Sequence, residues 1–104
     1  MNLNKLLPLS ETTFYIMLSL REPLHGYAIM QNVEALSNGK VRIAAGTLYG
    51  AIENLTKQMM IKEVEVENQD KRRRVYALTS YGKKLLASEI ERLKHLIAIS
   101  SDLL

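Results

Sequence analysis

The chain has 104 residues, 47% of them hydrophobic and 24% charged, with a net charge of +3 and no cysteine. That length allows one compact domain with an appended helix, the composition lies far from the disordered regime, and the missing cysteines exclude disulfides and thiolate metal sites. No apolar run approaches the ~20 residues of a membrane-spanning helix, and the opening MNLNKLLPLSE lacks the apolar centre of a signal peptide, so a cytoplasmic protein with no membrane partner is expected.

Ser10 is placed to cap a first helix from about Glu11 to Leu20, with Leu9 and Phe14 as a hydrophobic staple and Phe14, Met17, Leu18 and Leu20 as its buried face. Pro23 in REPLHG interrupts it. Ile29, Met30 and Val33 recur at helical spacing, which predicts a second helix from Gly26 to about Leu36. Asn38-Gly39 reads as a turn, and Val41-Arg42-Ile43 alternates as a short half-buried strand would. In AAGTLYGAIENLTKQMMI the residues Leu48, Ile52, Leu55 and Met59 line one face of a third helix. Gly46, Thr47, Gly50, Asn54 and Lys57 point largely the other way. Such a small, polar face fits a groove, although an ordinary solvated face has the same pattern.

Two alternating runs follow, KEVEVE and RVYALT, separated by NQDKR. Pairing Glu67 with Arg73 predicts a β-hairpin with Val64, Val66, Tyr76 and Leu78 on one face and Glu63, Glu65, Glu67 and Arg73 on the other. Residues 62–70 carry a net charge of −3 and residues 71–74 carry +4, so the positive charge is concentrated at the hairpin tip and the start of its second strand. Some of these bases offset the neighbouring carboxylates, but four in a row exceed what cross-strand pairing needs. From the N-cap Thr79 a last helix of about 25 residues spans roughly 37 Å. Leu86, Ile90, Leu93, Ile97 and Leu104 form its stripe, widened by Leu96, Ile99 and Leu103. Little domain remains to cover that stripe, and a second copy of the helix is the expected cover.

Catalysis finds no support. His25 and His95 lack partners at metal spacing and read as surface or interface histidines, Ser100-Ser101-Asp102 has no base nearby, and the five glycines match no phosphate or dinucleotide loop. Neither an enzyme nor a cofactor is expected. The order helix, helix, short strand, helix, hairpin is that of a winged helix-turn-helix, in which the third helix enters the major groove and the hairpin, or wing, reaches flanking phosphates. The fold class is therefore mainly α with a small β-hairpin. Residues 1–78 form the DNA-binding unit and 79–104 the dimerisation helix. A winged-helix module that binds an acidic protein, without specific DNA binding, is the alternative.

PLHGYAIMQNVE, GTLYGAIENL and RRRVYALTSYGKKLL, in this order and spacing, resemble the PadR family of bacterial transcriptional regulators, over nearly the whole chain. The single last helix resembles the compact subgroup of that family. The resemblance implies a homodimer joined through the last helix with help from the first, and repression at a pseudo-palindromic operator in double-stranded DNA. It implies DNA contacts for Tyr27 and for Thr47 to Tyr49, flanked by the basic wing. The DNA-binding set is then Tyr27, Thr47, Tyr49, Gly50, Asn54, Lys57, Lys71, Arg72, Arg73 and Arg74. Two positions depart from the family pattern: Ala45 stands before Gly46 where a small polar residue or proline is frequent, and Met60 stands where many members have glycine. Some compact members bind flat aromatic drugs at the dimer interface through a tryptophan, which this chain lacks. A small aromatic effector is left open, with Phe14, Tyr15, Met17 and the last helix as its lining.

Overall fold

The computed structural model describes residues 6–66 and 73–104. Along them run α1 (Glu11–Ser19), β1 (Leu24–His25), α2 (Gly26–Leu36), α3 (Ala45–Lys57), β2 (Ile61–Val64), β3 (Val75–Leu78) and α4 (Ser80–Leu103). The three strands form one antiparallel sheet in the order β1-β3-β2. The fold is mostly helical with this small sheet, as expected.

The helix starts follow the sequence. The Ser10 hydroxyl accepts the Thr13 N–H at 3.1 Å and the Thr79 hydroxyl accepts the Gly82 N–H at 2.9 Å, each filling one of the donors a helix start leaves open. His25 caps α2: its Nδ1 accepts the Ala28 N–H at 3.3 Å. This is a local structural role, where the sequence suggested a surface or interface histidine. α2 ends at the expected Asn38-Gly39 turn, with Asn38 and Gly39 at φ 55° and 79° and their N–H groups donating to the Ala35 and Glu34 carbonyls.

Val41–Ile43 is not a strand. The Ser37 hydroxyl is buried beside it, accepts the Val41 N–H at 2.9 Å and lies 3.3 Å from the Val41 carbonyl, so a side chain satisfies backbone groups that a ladder would otherwise bind. Leu24–His25 takes the third place in the sheet, with Leu24 opposite Tyr76 and His25 opposite Val75. β3 is thus the central strand, and Val75 and Tyr76, on opposite faces, are both buried.

The hairpin register differs by one residue from the expected one. Ile61 faces Leu78, Glu63 faces Tyr76 and Val64 faces Val75, so Val64 lies on the face opposite to Tyr76 and Leu78. The end of α3 sets this register. Gln58 closes the helix and Met59 adopts φ 64°, with its N–H donating to the Thr56 carbonyl and that of Met60 to the Leu55 carbonyl, each at 3.0 Å. This is the Schellman ending, in which the left-handed position usually belongs to glycine. It turns Met59 out to 62% exposure and Met60 into the core, so Met60 takes the buried place expected of Met59. The Thr79 N–H then bonds the Met60 carbonyl at 3.0 Å, and a Cβ on Gly82 would lie 2.0 Å from that same oxygen. Only glycine lets the first turn of α4 rest there.

One hydrophobic cluster joins α1 (Ile16, Met17), α2 (Ile29, Val33), α3 (Leu48, Ile52, Leu55), the sheet (Ile61, Tyr76, Leu78) and the start of α4 (Leu85, Leu86). Leu86, expected on the dimer face, is therefore spent in the chain's own core, a burial worth about 2 kcal/mol without any partner. Met17, considered for an effector site, is likewise fully buried. Further along α4, Glu89 is only 1% exposed. Its carboxylate accepts the Leu9 N–H at 2.7 Å and the Arg92 Nε–H at 2.5 Å. The Arg92 bond, more than the Leu9 N–H, holds its pKa below the ordinary carboxylate value against the opposing effect of burial. This carboxylate ties the segment before α1 to the middle of α4.

Candidate nucleic-acid interface

α3 is two-sided as its spacing predicts. Leu48, Ile52 and Leu55 anchor it in the core, while Gly46, Thr47, Gly50, Asn54 and Lys57 are exposed. Tyr49 stands out on the same open side with 51% of its surface free. Glu53, which sequence reasoning passed over, is exposed as well and pairs with Lys57 at 3.3 Å. Its place four residues before a lysine was the available signal. The open face is therefore nearly neutral along the helix. The residue before the helix, Ala44, has no side-chain acceptor to offer the first turn. The capping position is Ala44, and Ala45 is the first helical residue.

Beside α3 the start of α2 and the root of the wing converge. Tyr27, Gln31, Tyr49, Arg73, Arg74 and Tyr76, with His25 and Gly26, line a cleft of about 530 Å³. Tyr27 is 63% exposed at its rim. The chain links that build it are the two-residue pairing of β1 with β3, which sets the start of α2 against the wing root, and the packing of α2 on α3. Arg74 is 3.7 Å from Glu63 across the hairpin, an exposed pair of small energetic weight. Arg73 and Arg74 thus join Tyr27 and Tyr49 in one place, and Thr47, Gly50, Asn54 and Lys57 continue along α3. Lys71 and Arg72, expected at the wing tip, lie outside the described residues.

The expected dimer face divides along α4. Ile90 is half-buried and packs on the core, Leu93 is half-buried, and Ile97 (66% exposed) and Leu104 are open. Leu96, Ile99 and Leu103 extend the open apolar surface, and a shallow cleft of about 430 Å³ runs along Leu93, Leu96, Ile97 and Leu104. Among the described residues no three His, Asp or Glu side chains converge to hold a metal, and no helix is long and apolar enough to cross a membrane.

Residues 9–88 match the family model of the transcriptional regulator PadR-like family. The chain belongs to that family. PadR-like proteins are transcriptional regulators rather than enzymes, and the solved structures agree on the winged-helix fold. A PadR family transcription regulator from Clostridium difficile R20291 superposes with a TM-score of 0.73 at 20% identity, covering 90% of this chain and 98% of that one. RosR of H. salinarum gives 0.68 at 22% identity over 95% and 99% of the two chains. Bacillus subtilis PadR in complex with operator DNA gives 0.64 at 21% identity over 75% and 45%. Among curated proteins, an uncharacterised 37.1 kDa protein in transposon TN4556 of Streptomyces fradiae is 35% identical over 74 residues, which are 71% of this chain and 20% of that protein. The chain spans about a fifth of the length of that relative.

Proposed function

We propose that this PadR-like regulator is a homodimeric, sequence-specific DNA-binding repressor that reads a pseudo-palindromic operator. The observation that carries the reading is the junction of α2, α3 and the wing root, where exposed Tyr27, Tyr49, Arg73 and Arg74 adjoin the polar face of α3. In this reading Thr47, Tyr49, Gly50, Asn54 and Lys57 meet base edges in the major groove, while Arg73 and Arg74, with Lys71 and Arg72 of the tip, hold phosphates. The likeness to a PadR protein bound to operator DNA supports it at the level of the fold.

Residues 1–78 address the DNA and residues 79–104 join two copies, the first half of α4 also completing the core. The exposed Ile97, Leu103 and Leu104 support a second copy as the cover, because a row of large apolar side chains at a helix end is unfavourable in water. Two-fold symmetry then sets the half-sites about one helical turn apart, ~34–36 Å. A flat aromatic effector, if the dimer interface admits one, meets Phe14 and Tyr15 of α1, which are half-buried.

The test is selection of duplexes from a random library, followed by titration of variants. Replacing Lys71 and Arg72 with alanine should weaken binding to every duplex and, because the dimer loses four cations, lower the slope of log affinity against log salt by about 4. Asn54→Ala should change the preferred base at one position in each half-site. Unaltered binding by both variants overturns this assignment of roles.

A further inference from the structure

Gly26 is the first residue of α2 and is buried, and a different helix buries it. A Cβ at position 26 would lie 2.5 Å from the Tyr49 hydroxyl oxygen, 2.9 Å from its Cζ and 3.1 Å from its Cε1. The end of the phenol therefore occupies the space that a side chain at 26 would fill. Nothing in the backbone asks for glycine here: Gly39 is the glycine with positive φ among the described residues, and a helix start favours many residues over it. Gly46 and Gly50, which flank Tyr49 on α3, have nothing within 4 Å of a Cβ. The close approach is particular to Gly26 and Tyr49.

The ring so held is not core. Tyr49 remains half exposed and stands in the cleft with Tyr27, Arg73 and Arg74. A side chain that must be ordered on binding costs affinity, and one already fixed does not. We propose that Gly26 is a positioning residue for nucleic-acid recognition: its bare Cα seats the Tyr49 hydroxyl and so fixes the orientation in which that ring meets DNA. The inference rests on the DNA-binding reading above. A methyl group at 26 leaves no room for the end of the phenol, so the ring must leave this seat and change its position in the cleft beside α3.

The experiment compares wild type, Gly26→Ala, Tyr49→Ala and the double variant on a duplex that the wild type selects from a random library, and on duplexes changed at single positions. Gly26→Ala should weaken binding by roughly tenfold and flatten the base preference at the position that Tyr49→Ala also flattens. Adding Gly26→Ala to Tyr49→Ala should change neither quantity, because the clash is gone. Wild-type affinity for Gly26→Ala, or the same loss in both backgrounds, overturns the inference; in the second case Gly26 acts through its own backbone. If Gly26→Ala does not fold, Tyr49→Phe removes only the seated oxygen, and wild-type affinity and base preference in that variant overturn the inference equally. A wild type that selects no duplex defeats the DNA-binding reading itself, whereas a wild type that binds while its variants are unchanged defeats only the role of Gly26.

Discussion

Alanine at Gly50 should make the protein more stable and a poorer DNA binder. Gly50 lies in the middle of α3 on the open face, and a Cβ there meets nothing within 4 Å. The fold therefore gains the helix preference of alanine, about 1 kcal/mol in a helix interior, much of it from the unfolded chain's reduced freedom. For a domain of this size that corresponds to a rise in Tm of about 4 °C, read by circular dichroism at a fixed protein concentration. Against DNA the same methyl group stands between Thr47 and Asn54, where the proposed face meets the groove. Overpacking a fitted surface costs about 1–3 kcal/mol, so affinity for the selected duplex should fall by roughly fivefold to 150-fold, read by fluorescence anisotropy. Opposite signs in the two assays are the expected signature. A higher Tm with unchanged affinity and base preference would show that this turn of α3 does not approach DNA. A lower Tm would contradict the open space assigned around Gly50.

Met59→Gly should raise stability by about 0.5–1 kcal/mol, since the left-handed φ costs a non-glycine residue about 1–2 kcal/mol and the exposed side chain adds little packing; Met59→Ala should bring no such gain in thermal unfolding. Glu89→Gln should cost about 2 kcal/mol through its charged hydrogen bonds. Because the folded pKa of Glu89 lies below the unfolded value of about 4.3, its contribution is present above that value and is lost as pH falls through the folded one. Wild type should therefore lose more stability than Glu89→Gln as the pH is lowered through that window, and parallel pH profiles would contradict the link. Ile97→Glu should convert a sedimenting dimer to monomers with the helical content kept, since Ile97 lies outside the core cluster; a monomeric wild type at micromolar concentration would contradict the proposed interface.

α1, α2 and α4 were legible because each begins with a side-chain acceptor or ends with a turn dipeptide, and α3 because Leu48, Ile52 and Leu55 keep one period. The open face of α3 followed from that same period. β1 was not legible, because two residues carry no alternation and Leu24–His25 becomes a strand only where β3 lies beside it. The hairpin register was missed for a local reason. A methionine took the left-handed position at the end of α3, where glycine would have announced the turn, and this moved Ile61 into the first paired place. Glu89 read as one more polar residue on an amphipathic helix. Its burial depends on the Leu9 N–H, 80 positions earlier in the chain. Leu86 fell in the right stripe, but the first turns of α4 serve the core before any partner. The fit of Tyr49 over Gly26 is likewise a relation between two helices, invisible in either segment alone.

The most direct test of the central claim is the affinity of the wild-type protein for its library-selected duplex against a scrambled duplex of the same composition, each at two salt concentrations. The account predicts binding to the selected duplex about a thousandfold or more tighter, with both affinities falling as salt rises. Equal affinity for the two duplexes would contradict it, leaving a basic surface that grips phosphates without reading bases.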